Sequence, residues 1–341
     1  MDRKFNDRTY LHDRHRLSHQ QIDKLLGENR AAEFMSEKVK LLEDVKSLLH
    51  ITDLLTKNGI HFVCLKGALL SYRLYKDPAV RISHDIDILI NKDSVGQAAD
   101  LLQKSGFDLS KGVIWPTQIS QRDLILKNEQ HLSFYNNSMK CCFEIHWTLM
   151  HGLAVTQNQL EKIINDNLVS ESLAGRELTT LSRELELVFL LIHGSRHAWC
   201  RLKWLVDIKD YPFDEIDKDK FYELVKMMEA GRIVSQTNIL LKKLFNVIMP
   251  FKENVRLPKR LVNYPLHALD DTIEVNLSLK EHIQLLRYKW YMFSSPYYKF
   301  RFFSTLFYRG GDLSVIDSAS PIGYYLYRPY GLIKRRLFNA R

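Results

Sequence analysis

Cysteine is scarce in this chain. The four present, Cys64, Cys141, Cys142 and Cys200, show none of the paired spacings that hold zinc. They read as reduced structural thiols of a cytoplasmic protein. His193 and His197 stand four residues apart in a helical run. The glutamate of H-E-x-x-H is missing there and no third ligand is evident, which sets zinc aside. No apolar run is long enough to span a bilayer. The opening residues, MDRKFNDRTYLHDRHRL, are too polar for a signal peptide. Internal repeats and low-complexity tracts are also missing. These absences leave a cytoplasmic globular protein whose chemistry resides in side chains brought together by folding.

The chain has 341 residues, enough for two domains, and its 45% hydrophobic content supports a proper core. A formal charge of +9 points to an anionic partner: nucleotide, nucleic acid, anionic lipid or phosphorylated glycan.

The most informative stretch is Cys64 to Ile90, CLKGALLSYRLYKDPAVRISHDIDILI. A strand from about Ile60 to Leu65 stops at Lys66-Gly67. Gly67 lacks a Cβ, so it permits a tight strand-to-helix turn and lets a phosphate approach the backbone. A helical run follows from Ala68 to Tyr75, and Asp77-Pro78 ends it. The β-branched run around Ile86, Ile88 and Ile90 reads as a buried strand. Side chains alternate along a strand, so Asp85 and Asp87 share one face. Two carboxylates that close repel unless a divalent cation sits between them or one is neutralised.

Elsewhere, residues 1–30 are charged and weakly patterned, and Ala31 to Asn58 is an amphipathic helix closed by Gly59. Lys92 to Ser105 reads as a helix. Gly112 to Glu129 has no clear period and is taken as a loop. Gln130 to Tyr135 and Cys141 to Trp147 form a hairpin across Asn136-Asn137-Ser138. Glu144 sits between Phe143 and Ile145, and an acid on an apolar strand is costly unless paired or bound to a cation. Arg81 or His146 would serve as that partner. From Gln157 onward the pattern is helical. One helix, Arg183 to Asp207, carries a stripe of His193, His197, Cys200, Trp204 and Asp207, with Arg201 at its edge. Glu281 to Arg341 interleaves aromatics with bases, as in Tyr297-Tyr298-Lys299-Phe300-Arg301 and Lys334-Arg335-Arg336, which suits a membrane interface or a nucleic-acid strand.

Leu65-Lys66-Gly67, Tyr75, Asp77-Pro78, Arg81 and Asp85-Ile86-Asp87 carry a resemblance. It continues through Phe143-Glu144-Ile145-His146-Trp147, then His193-Gly194, His197, Trp199, Arg201, Leu202, Trp204 and Asp207. Tyr325 to Pro329 adds a weaker match. Over roughly the middle half, the chain resembles the uncharacterised nucleotidyltransferase family of bacterial polysaccharide and natural-product gene clusters, within the polymerase-β-like superfamily. Where that superfamily usually places Ser or Gly after the glycine, this chain has Ala68.

The resemblance implies an α+β fold, a mixed sheet flanked by helices with a helical C-terminal domain. The expected division is a helical segment (1–58), a nucleotidyltransferase core (59–150) and a helical domain (151–341). It implies Asp85, Asp87 and Glu144 as catalytic ligands of two Mg²⁺ ions, with an NTP as substrate. Lys66, Gly67, Arg81, His193, His197, Arg201 and Lys203 are the expected nucleotide-binding set. Lys66 also has a plainer role open to it, pairing with a core carboxylate, and Arg81 with Asp77 or Asp85. The hydroxyl acceptor could be a sugar, a lipid-linked glycan, a small molecule, RNA or a protein. Peripheral contact with the inner membrane face through the basic aromatic C-terminal region is part of the expectation. The rivals are a toxin-type transferase acting on tRNA or protein, and a scaffold that kept the fold without turnover.

Overall fold

The computed structural model describes residues 3–150, 153–270, 278–305 and Tyr327. The rest of the Tyr325 to Pro329 match and the Lys334-Arg335-Arg336 cluster lie outside them.

In chain order the elements are α1 (His19–Leu26), α2 (Ala31–Lys57), β1 (Phe62–Leu65), α3 (Gly67–Tyr75), β2 (Asp85–Ile90), α4 (Val95–Lys104), β3 (Asp108–Leu109), α5 (Ile119–Asn128), β4 (His131–Asn136) and β5 (Cys141–His146). Then come α6 (Gln157–Asn165), β6 (Leu168–Leu173), β7 (Arg176–Leu181), α7 (Arg183–Arg196), α8 (Leu202–Lys209), α9 (Lys218–Met227), α10 (Gly231–Phe245), α11 (Arg260–Asp270), α12 (Leu279–Met292) and α13 (Pro296–Thr305). The strands form one mixed sheet in the order β3-β4-β5-β2-β1-β7-β6.

The alternation along β2 divides the protein. Ile86, Ile88 and Ile90 point into one apolar core, shared with Val45, Leu48, Ile51 and Leu55 of α2 and with Phe143 and Ile145 of β5. Leu89 joins the other core, built mainly on α7 to α12. Asp85 and Asp87 therefore face the side of the long C-terminal helices. β2 and β5 are parallel with Asp87 opposite Glu144, and β1 is antiparallel to β2 with Leu65 opposite Asp87. This register puts the end of β1 and its Lys66-Gly67 turn beside the acidic pair.

Three local readings are corrected. The segment taken as a loop contains α5, which buries Gln121, Leu124 and Ile125 but shows little amphipathic period. Past residue 150 the chain is not all helix: β6 and β7 form a hairpin, and β7 joins β1 in parallel. The sheet thus draws on residues beyond the expected edge of the core. β6 is an edge strand, LVSESL, whose apolar residues sit at its ends rather than alternating, so it lacks the strand period.

The third correction concerns the striped helix, which is two helices. Ala198 and Trp199 take φ of 52° and 51°, ending α7 before α8 begins. No glycine or proline marks the break. Tertiary packing imposes it, because the fully buried Trp199 folds back over Gly194, where a Cβ would stand 2.2 Å from the indole. Trp199 Nε1 donates to Gln236 Oε1 at 3.2 Å, fixing the ring. Gly194→Ala should therefore overpack this corner and cost about 1–3 kcal/mol of stability in urea unfolding. A wild-type midpoint would refute this account of the break.

Candidate active site

The turn after β1 is strained. Lys66 has φ 46° and ψ −138°, a backbone state that residues with a Cβ rarely adopt, and Gly67 follows at φ 57°. The result aims Lys66 back across the sheet. Its Nζ lies 3.3 Å from Asp87 Oδ2 and 5.4 Å from the centroid of the Phe189 ring. The plainer role left open for Lys66, pairing with a core carboxylate, is thus present in the structure.

Asp87 is buried, and both of its oxygens are engaged. Oδ1 accepts from His146 Nε2 at 2.9 Å, and the same nitrogen lies 3.3 Å from Glu144 Oε2. Glu144 Oε1 accepts from Ser133 Oγ at 3.0 Å, and His131 Nε2 is 3.5 Å away. The Nδ1 atoms of His131 and His146 are buried with no hydrogen-bond partner among the described residues. A carboxylate only accepts, so the proton of His146 sits on Nε2, facing the acids. The two imidazoles thus orient Glu144 and Asp87.

The three carboxylates differ electrostatically. Burial raises the pKa of Asp85, and the nearby Asp87 charge raises it further. Burial acts the same way on Asp87, but Lys66 and the His146 hydrogen bond overcome it and hold Asp87 well below the usual range. Glu144 is also lowered: burial is outweighed by the His146 bond and the charge of His131. Ser83 Oγ donates to the Asp85 backbone carbonyl, and among the described residues no donor reaches the Asp85 carboxylate. Oxygens of Asp85, Asp87 and Glu144 lie within 4.8 Å of one another. Hard oxygen donors at that spacing, one of them unpartnered and disfavoured as an anion, fit a divalent cation of the Mg²⁺ type.

A cavity of about 660 Å³ opens on this cluster. The acids form its sheet end. At its helical end stand Arg196, Lys203 and Lys289, and no carboxylate pairs with any of them among the described residues. Lys203 is buried; its Nζ lies 3.4 Å from the Ile82 carbonyl, and the charges of Asp207 and Asp85 act on it from beyond ion-pair distance. Burial, aided by the Arg81 charge, pushes its pKa down to about 7. Burial lowers Arg196 too, and burial with the Arg196 charge brings Lys289 to about 8. A buried cation without an ion-pair partner, such as Lys203, is costly unless a ligand supplies the opposite charge, and the half-buried Arg196 and Lys289 stand beside it. A second cavity, about 630 Å³, adjoins Lys66, Asp85 and Asp87 from the other side and is lined by Gly67, Lys40 and Asp44.

Asp85, Asp87, Glu144, Lys66, Arg81, His193, His197, Arg201 and Lys203 all line the first cavity, whereas Gly67 lines the second. Arg81 is tied elsewhere than expected: its Nε bonds Asp207 Oδ1 at 2.9 Å, not Asp77 or Asp85. Glu144 pairs with His146 and His131, not with Arg81. His193 meets Trp204 edge-on and His197 lies tilted against it, with centroids 5.7 and 5.0 Å away, across the break between α7 and α8. Arg201 Cζ lies 6.0 Å from that indole centroid. Arg196, His131 and Ser133 were not singled out from the sequence, and Lys289 only as part of the basic aromatic tail. Arg196 hides beside the more conspicuous His197, and Lys289 is remote in sequence.

A model of the family described as uncharacterised nucleotidyltransferase matches residues 28–246. No curated protein matches the chain. Among solved structures, the lincosamide antibiotic adenylyltransferase LnuA with lincomycin bound aligns over 48% of this chain and 94% of that one, at 17% identity and TM-score 0.33. The family match alone carries the assignment that follows.

Because Asp85 bears the repulsion and Asp87 the compensation, their amides should behave oppositely. Asp85→Asn should leave stability at pH 7 unchanged or higher. Asp87→Asn leaves Lys66 without its counter-charge and should cost about 1–3 kcal/mol. Paired urea titrations check this, and equal effects would contradict the asymmetry.

Proposed function

Since the chain belongs to the uncharacterised nucleotidyltransferase family, we propose that it moves a nucleotidyl group from an NTP to a hydroxyl acceptor with Mg²⁺ bound at Asp85, Asp87 and Glu144. The observation that carries this reading is the polarity of one cavity. Three carboxylates stand at its sheet end and three unpaired cations at its helical end. A metal–polyphosphate presents the complementary pair of charges.

When bound, the cation would neutralise phosphate charge and lower the pKa of the attacking hydroxyl. The chain's own residues supply the rest. Lys203, Arg196 and Lys289 bind phosphate oxygens and take up charge on the departing pyrophosphate as the acceptor oxygen bonds to the α-phosphorus. Glu144 receives the acceptor proton, held in aim by Ser133 and His146. Gly67, with open space where a Cβ would stand, lets a substrate approach the backbone at the α3 N-terminus. Arg81, fixed by Asp207, braces the wall that holds Lys203.

The acceptor belongs to the hydroxyl class that spans sugars, glycans, RNA and protein side chains, and a role in polysaccharide or natural-product synthesis is in keeping with the family resemblance. Among the described residues no helix is long and apolar enough to cross a membrane. Much of the basic aromatic segment assigned to membrane contact lies outside the described residues. The convergence of three acids with unpaired cations favours turnover over a scaffold.

Calorimetry with ATP, CTP, GTP and UTP in Mg²⁺ should show binding of at least one, and transfer of α-phosphorus label to an acceptor should follow. Failure of all four to bind would remove the proposal. Glu144→Gln should cut turnover by about 10²–10⁴-fold while nucleotide affinity stays within a few-fold.

Lys203 gives a signed pH test. With its pKa at about 7 rather than 10.5, the ligand-free ammonium loses its proton as pH rises through neutrality. The cost of burying it charged is full below pH 7 and fades toward pH 10.5. Polyphosphate restores the charge. Nucleotide binding at pH 8 should therefore take up protons, read by calorimetry in buffers of different ionisation enthalpy, and affinity should fall from pH 7 to 9. Lys203→Met should flatten both responses, and an unchanged pH slope would exclude Lys203 from the phosphate site.

A further inference from the structure

We infer that Lys66 is a stand-in cation. Its ammonium neutralises Asp87 while the site is empty of metal and moves to phosphate when nucleotide arrives, which couples metal and nucleotide binding. This rests on the function proposed above and adds a device within the same site.

Four observations carry it. Asp87 is buried and has both oxygens occupied, Oδ1 by His146 Nε2 at 2.9 Å and Oδ2 by Lys66 Nζ at 3.3 Å. A cation reaching Asp87 must therefore displace the ammonium or lie against it. Of the two occupants, His146 is rigid on β5, whereas lysine has a four-carbon stem and can move. The backbone at Lys66 is held at φ 46°, so the side chain is launched from a fixed point at the head of α3. Finally, Lys66 lines both cavities, and its ammonium stands between Asp87 and the Phe189 ring, whose face at 5.4 Å is favourable to an ammonium that leaves Asp87.

The energetic consequence has a definite sign. Metal alone meets the repulsion of an ammonium already in place. Metal with nucleotide does not, because the phosphates give Lys66 a new partner. By linkage the nucleotide gains the same factor from the metal. A lysine that stayed on Asp87 would repel the metal with or without nucleotide, so its loss would leave the gain in Mn²⁺ affinity on adding nucleotide unchanged.

The test is Mn²⁺ binding followed by electron paramagnetic resonance, with and without a non-hydrolysable NTP. The full-length wild type is compared with Lys66→Met and Lys66→Gln, each checked for native near-ultraviolet dichroism. Asp85→Asn serves as the site control. Two neutral variants keep the test open if one misfolds. Removing the ammonium should tighten Mn²⁺ alone by about 10-fold, and the gain in Mn²⁺ affinity on adding nucleotide should shrink by a similar factor. Subtracting wild type cancels the chelation of Mn²⁺ by free nucleotide. Should Mn²⁺ bind in an Asp85-dependent way, yet with equal or lower affinity in both variants, the stand-in role is overturned and the active-site reading stands. No Asp85-dependent Mn²⁺ under any condition overturns both.

Discussion

On two parallel strands, Asp87 and Glu144 face each other directly, with Asp85 two residues away on the same face. That register is the constraint from which the rest follows. Like charges at strand spacing, with Asp87 buried and its neighbours half-buried, repel strongly. The surrounding structure compensates with Lys66 on Asp87, His146 between Asp87 and Glu144, and Ser133 and His131 on Glu144. The Asp85 carboxylate has no hydrogen-bond or ion-pair partner among the described residues, and the charges of Lys66 and Lys203 offset its repulsion only in part. That corner is therefore biased toward accepting positive charge.

The opposite bias lies across the cavity. Arg196, Lys203 and Lys289 come from three different helices and share no acid among the described residues. Carboxylates and cations lining one cleft are the charges that the proposed metal and polyphosphate would complement.

The strand–glycine–helix–strand entry was readable because each part has a local cause: β-branched residues for the strands, Gly67 for the turn, and alternation for placing Asp85 with Asp87. Glu144 was legible as an acid on an apolar strand. His146, two residues along the same strand and so on the same face, was legible as a candidate partner of Glu144, but its bond to Asp87 was not. The break between α7 and α8 left no local signal, because Ala198 and Trp199 are not helix breakers and only the packing of Trp199 on Gly194 imposes their backbone. The β6–β7 hairpin escaped for another reason: its edge strand, LVSESL, shows no alternation, and a largely solvent-facing edge strand needs none.

By itself, the sequence determined the elements whose causes lie within a few residues, and so the family and the three acids, because periodicity and turn chemistry are short-range. Tertiary structure alone decided which charges meet. It set Lys66 on Asp87, gave Arg81 to Asp207, and left Lys203, Arg196 and Lys289 in one cavity with no carboxylate paired to them among the described residues. Coulomb energy depends on distance through space and on burial, and neither is fixed until the strands have paired and the helices have packed.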